Sequence, residues 1–349
     1  MEGERRAPDT QGVHADVVHP RELGPAQAAD WRELQQRRPL LGSPFLGPSF
    51  ARIVGAERGD ARVAVLRGGA GFFAFHRGVG GIGSPIGRTL ADYQALVAAP
   101  DLDWAPDALV RACGLRSYAF DHALLAQERW GAFARAAESS PVVDLGRFDA
   151  EADMPGEAGR KARRLEREGE PRVEWHEPDP AALATLVRWK RDQYARTGVY
   201  DIFSHAWVAA VVARLHAAAG EDLTGVLACL YDGDELIAAH LLLQAGPILH
   251  SWMPAHDPGR AKQSPGLVLL RAILLAAPDH GIRLLDFGKG TDSYKGRFAN
   301  DTIEVGAGSV QSAVAWHALA GAGRASTQLV NRTRLQGRAY RAERRVQVG

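Results

Sequence analysis

The chain has 349 residues, 46% of them hydrophobic and 24% charged, a composition that has room for two cores and excludes a disordered or collagen-like protein. Its 42 basic and 41 acidic residues leave a net charge of +1, so no whole-molecule field favours DNA as a partner. Two cysteines, Cys113 and Cys229, lack the number for a disulfide framework and the spacing for a metal site.

Residues 1–10 carry charges of both signs in place of a signal peptide, and no apolar run approaches the ~20 residues that span a bilayer. The expectation is a cytoplasmic protein without a transmembrane segment. The first half reads as two short helices, at 25–37 and 48–58, and a strand pair at 62–66 and 71–76 turned by Gly68-Gly69. A glycine-rich strand or loop over 78–87, helices at 89–98 and 106–113 and a strand at 117–120 complete it.

Residues 149–159 are small and acidic and include Pro155, and the mixed charges of 160–172 describe a surface linker helix or one that meets an anionic substrate. In the second half, Asp179-Pro180 supplies an N-cap and first helical position. Leu183, Leu186, Val187 and Tyr194 then recur at helical spacing until Gly198. A helix over 204–220 gathers Trp207, Val208, Val211, Val212 and Leu215 on one face. An antiparallel meander follows, with strands at 226–231, 236–244 and 248–253 and turns at Asp232-Gly233-Asp234 and Ala245-Gly246-Pro247. Ser264-Pro265 opens a helix to 277, and 283–287 is a short strand. The first half repeats this order loosely, which points to an internal duplication. The resulting division is a flexible 1–20, a first unit at 21–150, a linker and charged helix at 151–172, a second unit at 173–310, and a basic helix or tail at 311–349.

At Gln263-Ser264-Pro265-Gly266-Leu267, a capping serine, a proline and a glycine would leave first-turn amides open at the positive end of a helix, an anion site sized for a pyrophosphate. Neither a Walker nor a Rossmann glycine pattern accompanies it. Among the 42 basic residues only Lys161, Lys190, Lys262, Lys289 and Lys295 are lysines, so each marks a place that suits a compact ammonium.

The order helix, helix, meander, helix, strand with Gln-x-x-Gly at the strand-helix junction resembles the GNAT acyltransferase fold, whose pyrophosphate loop reads [Q/R]xxGx[G/A]. Gln263 and Gly266 match it, and Val268 departs from its last small residue. Residues 31–304 resemble the FemAB-like branch of two fused GNAT units, and within it the CelD/BcsL-type proteins of bacterial polysaccharide production. The stretches that carry this are Ser43-Pro44-Phe45-Leu46, Asp92-Tyr93-Gln94, Ala112-Cys113-Gly114-Leu115, Trp189-Lys190-Arg191-Asp192-Gln193-Tyr194, Ala238-Ala239-His240-Leu241, Ser264-Pro265-Gly266-Leu267, and Asp286-Phe287-Gly288-Lys289-Gly290 with Tyr294-Lys295. The fold class implied is α/β (α+β), two fused GNAT-like units, each a mixed, mainly antiparallel sheet flanked by helices.

The resemblance further implies that acyl-CoA, a cosubstrate in a protein with no bound cofactor or metal, lies between the third meander strand and the next strand. There Gln263, Ser264, Gly266 and Leu267 would hold the pyrophosphate, and the backbone near Trp252 would polarise the thioester carbonyl. Tyr294 would protonate the leaving sulfur and Lys295 stabilise the oxyanion. Asp286 is either the base or an anchor for Lys289, and His240, with His250 on the adjacent strand, is either catalytic or a core histidine. Asp92, Tyr93 and Gln94 in the first unit, with Lys190, Tyr194 and Lys289 in the second, would contact the acceptor. The implied activity is N- or O-acylation, with acetyl the first expectation, of a sugar, polysaccharide precursor or small amine. Two alternatives stand beside it: an aminoacyl-tRNA-dependent transferase of FemAB type whose basic arm meets RNA, and a non-catalytic binding module of a polysaccharide synthase complex.

Overall fold

The structure, a computed structural model, describes residues 13–150, 152–290 and 295–312. Strand β1 (Ala15–Val18) precedes helices α1 (Pro25–Gln36) and α2 (Pro48–Glu57). Each of these helices starts on a Gly-Pro pair whose proline takes the first helical position, where its missing N–H costs nothing. Strands β2 (Ala61–Leu66), β3 (Gly71–Arg77), β4 (Ile82–Pro85) and β5 (Val97–Ala98) lead to α3 (Pro106–Ala112), β6 (Ser117–Leu124), the single turn α4 (Glu128–Gly131) and β7 (Ala134–Asp144).

Next come α5 (Gly156–Glu168), β8 (Pro171–Glu174), α6 (Pro180–Thr197) and α7 (Ala206–His216). The Asp179 carboxylate accepts from the Ala181 N–H at 2.8 Å, which caps α6 as its sequence demands. The meander is β9 (Thr224–Asp232), β10 (Glu235–Ala245) and β11 (Ile248–His256), followed by α8 (Pro265–Ala276), β12 (Leu284–Asp286), the short α9 (Lys295–Phe298) and β13 (Asp301–Gln311).

All these strands join one sheet in the order β1-β2-β3-β4-β6-β13-β7-β12-β11-β10-β9-β8, with β5 beside β3. Only β4 with β6 and β11 with β12 run parallel, so the fold is the mixed, mainly antiparallel α/β arrangement that was expected. At the middle of the sheet the halves exchange strands. β7, from before residue 150, pairs with β12, and β13, from after residue 300, lies between β6 and β7.

Alternation along β10 divides its side chains between two layers. Ala239, Leu241 and Leu243 enter a core with α6 and α7 that continues without a break to Trp31, Phe45 and Phe50 of the first half. Ala238 and Leu242 enter a second core with α5 and α8. A third core lies under the first half, around Phe73, Leu109 and Trp130.

Two expectations are corrected. Residues 89–98 do not form a helix: a 3-10 turn at Arg88–Leu90 is followed by extended chain that bridges to β6 at Gln94 and ends in β5. Leu90, Tyr93 and Val97 have helical spacing, yet the Gln94 amide decides the conformation. Its Oε1 accepts from the Asp121 and His122 N–H groups at 3.0 and 3.1 Å, satisfying main-chain donors that a helix would leave to water. The charged helix α5 is also no free linker, because Ala158, Ala162 and Leu165 are buried in the second core.

Candidate functional site

A fork in the sheet defines the site. β11 and β12 pair only through Ile248, Leu249 and His250 against Leu284, Leu285 and Asp286, after which β12 ends and β11 continues to His256. Within that continuation Leu241 faces Met253 and Leu242 faces Ser251, so Trp252 is the extra residue of a β-bulge. The bulge interrupts the ladder beside the gap. The Trp252 side chain points elsewhere, its indole N–H donating to the Leu90 carbonyl at 3.1 Å.

The loop after β11 closes one end of the fork. Ser264 has left-handed backbone angles (φ 55) and makes no side-chain cap, because a capping hydroxyl requires an extended residue. The Ser264 carbonyl instead accepts from the Leu267 and Val268 N–H groups at 3.0 and 3.2 Å, with the Gly266 N–H ahead of them. Val268, the departure from a small residue, is buried in the second core. A Cβ at Gly266 would meet nothing closer than His256 Nδ1 at 3.7 Å. Gln263 is held by Arg260 at 3.4 Å.

Helix α6 forms a wall of the fork with Lys190 and Tyr194. Lys190 is buried, its Nζ 3.4 Å from Gln193 Oε1 and 6.0 Å from the centre of the Tyr194 ring. Burial and the charges of Arg196 and Lys190 depress the pKa of His256. His240 and His250 do not meet: His240 lies on the Ala238 and Leu242 face of β10, whereas His250 pairs with Leu243 on the other face. His240 Nε2 is 3.0 Å from Ser251 Oγ. Burial, reinforced by the charges of Lys190, His250 and Lys295, lowers its pKa to about 3 and keeps it neutral.

The other face gathers charges from both halves. His250 Nε2 is 2.9 Å from Asp92 Oδ2, and its Nδ1 is 3.5 Å from Asp286 Oδ2. Burial alone would push the His250 pKa down, but Asp286 and Asp92 overcome it and raise it to about 9, so the ring is an imidazolium at neutral pH. Asp286 Oδ1 accepts from the Gly288 N–H at 2.8 Å and from Ser140 Oγ at 3.2 Å. A Cβ on Gly288, already at φ +67, would lie 2.9 Å from Asp92 Oδ2, so only glycine lets this turn approach the pair. The Tyr93 ring meets His250 edge-on at 5.9 Å, and burial beside Asp286 raises its hydroxyl pKa.

Gln94 also donates to Asp121 Oδ1 at 2.6 Å. Lys289 Nζ donates to the Asp121 carbonyl at 3.0 Å and lies 3.3 Å from Glu138 Oε1, while Lys295 Nζ donates to the Phe287 carbonyl at 2.8 Å. Asp92, Tyr93, Gln94, Asp286 and Lys289 therefore converge on one junction, whereas Lys295 braces the Phe287 carbonyl and lies near His240; Lys190 and Tyr194 of α6 and the 263–267 loop lie beside the neighbouring fork. Tyr294 lies outside the described residues. Sequence reasoning missed His122, Ser140 and Glu138 and weighed His250 only beside His240, because its actual partners, Asp92 and Asp286, are distant along the chain. Among the described residues, no group of three His, Cys, Asp or Glu side chains is arranged to hold a metal, and no helix is long and apolar enough to cross a membrane.

Residues 156–296, from the start of α5 into α9, match the family described as an acetyltransferase (GNAT) domain. The chain carries a GNAT-type acetyltransferase domain. That GNAT domain makes the protein an enzyme of the acyltransferase class, and it contains the fork, the bulge and the Gly266 loop. Solved structures extend the likeness beyond it. The C-terminal domain (DUF2156) of a putative lysylphosphatidylglycerol synthetase from Agrobacterium fabrum is 16% identical with a TM-score of 0.54, over 84% of this chain and 96% of that one. L-PGS from Bacillus licheniformis is 12% identical with a TM-score of 0.50, over 83% and 92%. A conserved protein of unknown function from Bacteroides thetaiotaomicron VPI-5482 is 8% identical with a TM-score of 0.53, over 85% and 100%. At these identities the GNAT-containing chain shares a fold with them and nothing finer. No curated protein matches its sequence.

Proposed function

We propose that the protein is an acyl-CoA-dependent acyltransferase that moves an acetyl or related acyl group onto a sugar, a polysaccharide precursor or a small amine. The observation that carries this reading is the fork: β11 leaves β12 after His250 and bulges at Trp252, while the loop into α8 presents Gly266 at the same end. A thioester entering there would set its carbonyl against the bulged backbone and its pyrophosphate against Gly266 and Leu267, where the helix dipole favours negative charge. Asp286 would act as base for the nucleophile, and Tyr294 would protonate the leaving sulfur. Lys295 would add positive charge beside the turn it braces through the Phe287 carbonyl. Asp92, Tyr93, Gln94 and Lys289 border the junction from the acceptor side and Lys190 and Tyr194 from α6.

Calorimetric titration with acetyl-CoA and CoA tests the donor. Micromolar binding is expected in the wild type, with a loss of at least tenfold in Gly266→Glu, whose backbone position has room for a side chain but places a carboxylate where the pyrophosphate would lie. Absence of CoA binding in the wild type would sink the reading. A second reading, an aminoacyl ester donor supplied by aminoacyl-tRNA, uses the same fork. It draws support from a shared fold with proteins named for an aminoacylated lipid, lysylphosphatidylglycerol. Saturable binding of aminoacyl-tRNA without CoA binding would favour it.

A further inference from the structure

Five side chains alternate carboxylate and imidazole from the surface to the fork. Asp121 Oδ1 is 3.1 Å from His122 Nδ1, and His122 Nε2 is 3.8 Å from Asp92 Oδ1. Asp92 Oδ2 is 2.9 Å from His250 Nε2, and His250 Nδ1 is 3.5 Å from Asp286 Oδ2. The Asp121 side chain is 47% exposed, whereas those of His122, His250 and Asp286 are at most 3% exposed. The series therefore has one wet end and one dry end. The Tyr93 hydroxyl and His250 Nδ1 are both buried beside Asp286 at the dry end.

We propose that Asp121, His122, Asp92, His250 and Asp286 form a proton relay that deprotonates a primary ammonium acceptor at the fork and delivers its proton to solvent. This rests on the acyltransferase reading and narrows its acceptor class. An ammonium needs such a path for reasons of balance. The ammonium R–NH3+ first gives up a proton to free its lone pair, and the amine then attacks the thioester, so that the C–N bond forms and the C–S bond breaks. Of the two protons the nitrogen loses, one stays on the departing thiol and the other must reach water. A hydroxyl acceptor has no proton to export.

The His250 imidazolium is the loaded state of the relay. Its Nε2 proton passes to Asp92, then to His122 Nε2, while His122 Nδ1–H passes to Asp121 and on to water. Turns of the His122 and His250 rings then reset both tautomers, and His250 offers a free nitrogen to Asp286, which reloads it with the proton taken from the ammonium. The 3.5 and 3.8 Å gaps close by rotation of the two carboxylates they involve. The charges that face the relay are Lys289, which holds the Asp121 carbonyl and Glu138, and Lys190 and Lys295, whose fields act with that of His250 on His240 across the sheet. Ser140, Tyr93 and Gly288 surround its inner end.

His122 is a relay and positioning residue remote from the reacting atoms, so its variants separate the relay from the chemistry. The test uses the full chain, acetyl-CoA, and glucosamine, lysine and ethanolamine as primary-amine probes, with acetyl-CoA affinity read by calorimetry. In His122→Gln and His122→Gly, kcat is expected to fall about tenfold or more at unchanged acetyl-CoA affinity. Added imidazole should restore part of the rate in His122→Gly alone. Wild-type kcat in both variants, or a loss that imidazole does not rescue, overturns the relay while the acyltransferase reading stands. Acetyl transfer by the wild type only to hydroxyl compounds overturns the ammonium assignment. If the wild type does not bind acetyl-CoA at all, the underlying reading falls, and the relay with it.

Discussion

His240 and His250 have the same side chain on neighbouring strands and opposite protonation. The difference arises because one is buried against Ser251 with only cations nearby, whereas the other lies between the carboxylates of Asp92 and Asp286. Linkage makes them act on stability from opposite sides of neutrality. Taking 6.5 as the unfolded value, the His250 contribution is fully present below pH 6.5 and is lost as the pH rises through about 9. The folded pKa of His240 is depressed to about 3, so the unfolded chain binds the proton more readily there. Its contribution is present above pH 6.5 and lost as the pH falls toward 3. His76, whose pKa burial lowers to about 4, acts in the same direction as His240. Urea unfolding followed across pH should therefore show greatest stability near neutrality, and His250→Gln should flatten the alkaline limb and spare the acid one. An unchanged alkaline limb would mean that His250 is neutral in the folded protein.

At the scale of elements, the second half was largely legible because its punctuation is local. Asp179-Pro180, Asp232-Gly233-Asp234 and Ser264-Pro265 each impose a boundary on their own few residues, and α6, the meander and α8 begin or turn where these stand. Residues 89–98 were misread because their apolar spacing fits a helix while their partner, β6, is supplied from about thirty residues further on. Helix α5 was misread for a related reason, since its many charges hide a stripe of Ala158, Ala162 and Leu165 that only α8 reveals as buried. Leu165→Ala should therefore cost about 2–5 kcal/mol of unfolding free energy, as cavities in packed cores do. A loss below about 0.5 kcal/mol in denaturant titration would return α5 to the status of a solvated linker.

At the scale of the whole molecule, the exchange of β7 and β13 makes the halves interdependent. A chain that starts at residue 151 would keep β12 and β13 but lose β7, the strand that pairs with both. The bared edges of β12 and β13 would favour association. Such a chain is expected to aggregate or melt without a cooperative transition, whereas one that starts at residue 132 restores β7 and should recover part of that transition in circular dichroism. A cooperative, monomeric fragment from 151 onward would show that the second half needs nothing from the first. The same exchange places Asp92 and Ser140 of the first half against His250 and Asp286 of the second, so the candidate site belongs to the assembled sheet and to neither half alone.

Local chemistry thus decided the Asp179 cap of α6, the turns of the meander and the Pro265-Gly266 helix start, because each depends on interactions within a few residues. The tertiary structure alone decided that Asp92 would meet His250 across 158 positions, that Trp252 would be a bulge, and that one of two neighbouring histidines would be charged and the other neutral. Those outcomes depend on which strands become neighbours and on what is excluded from water, and residue order expresses neither before the sheet has closed.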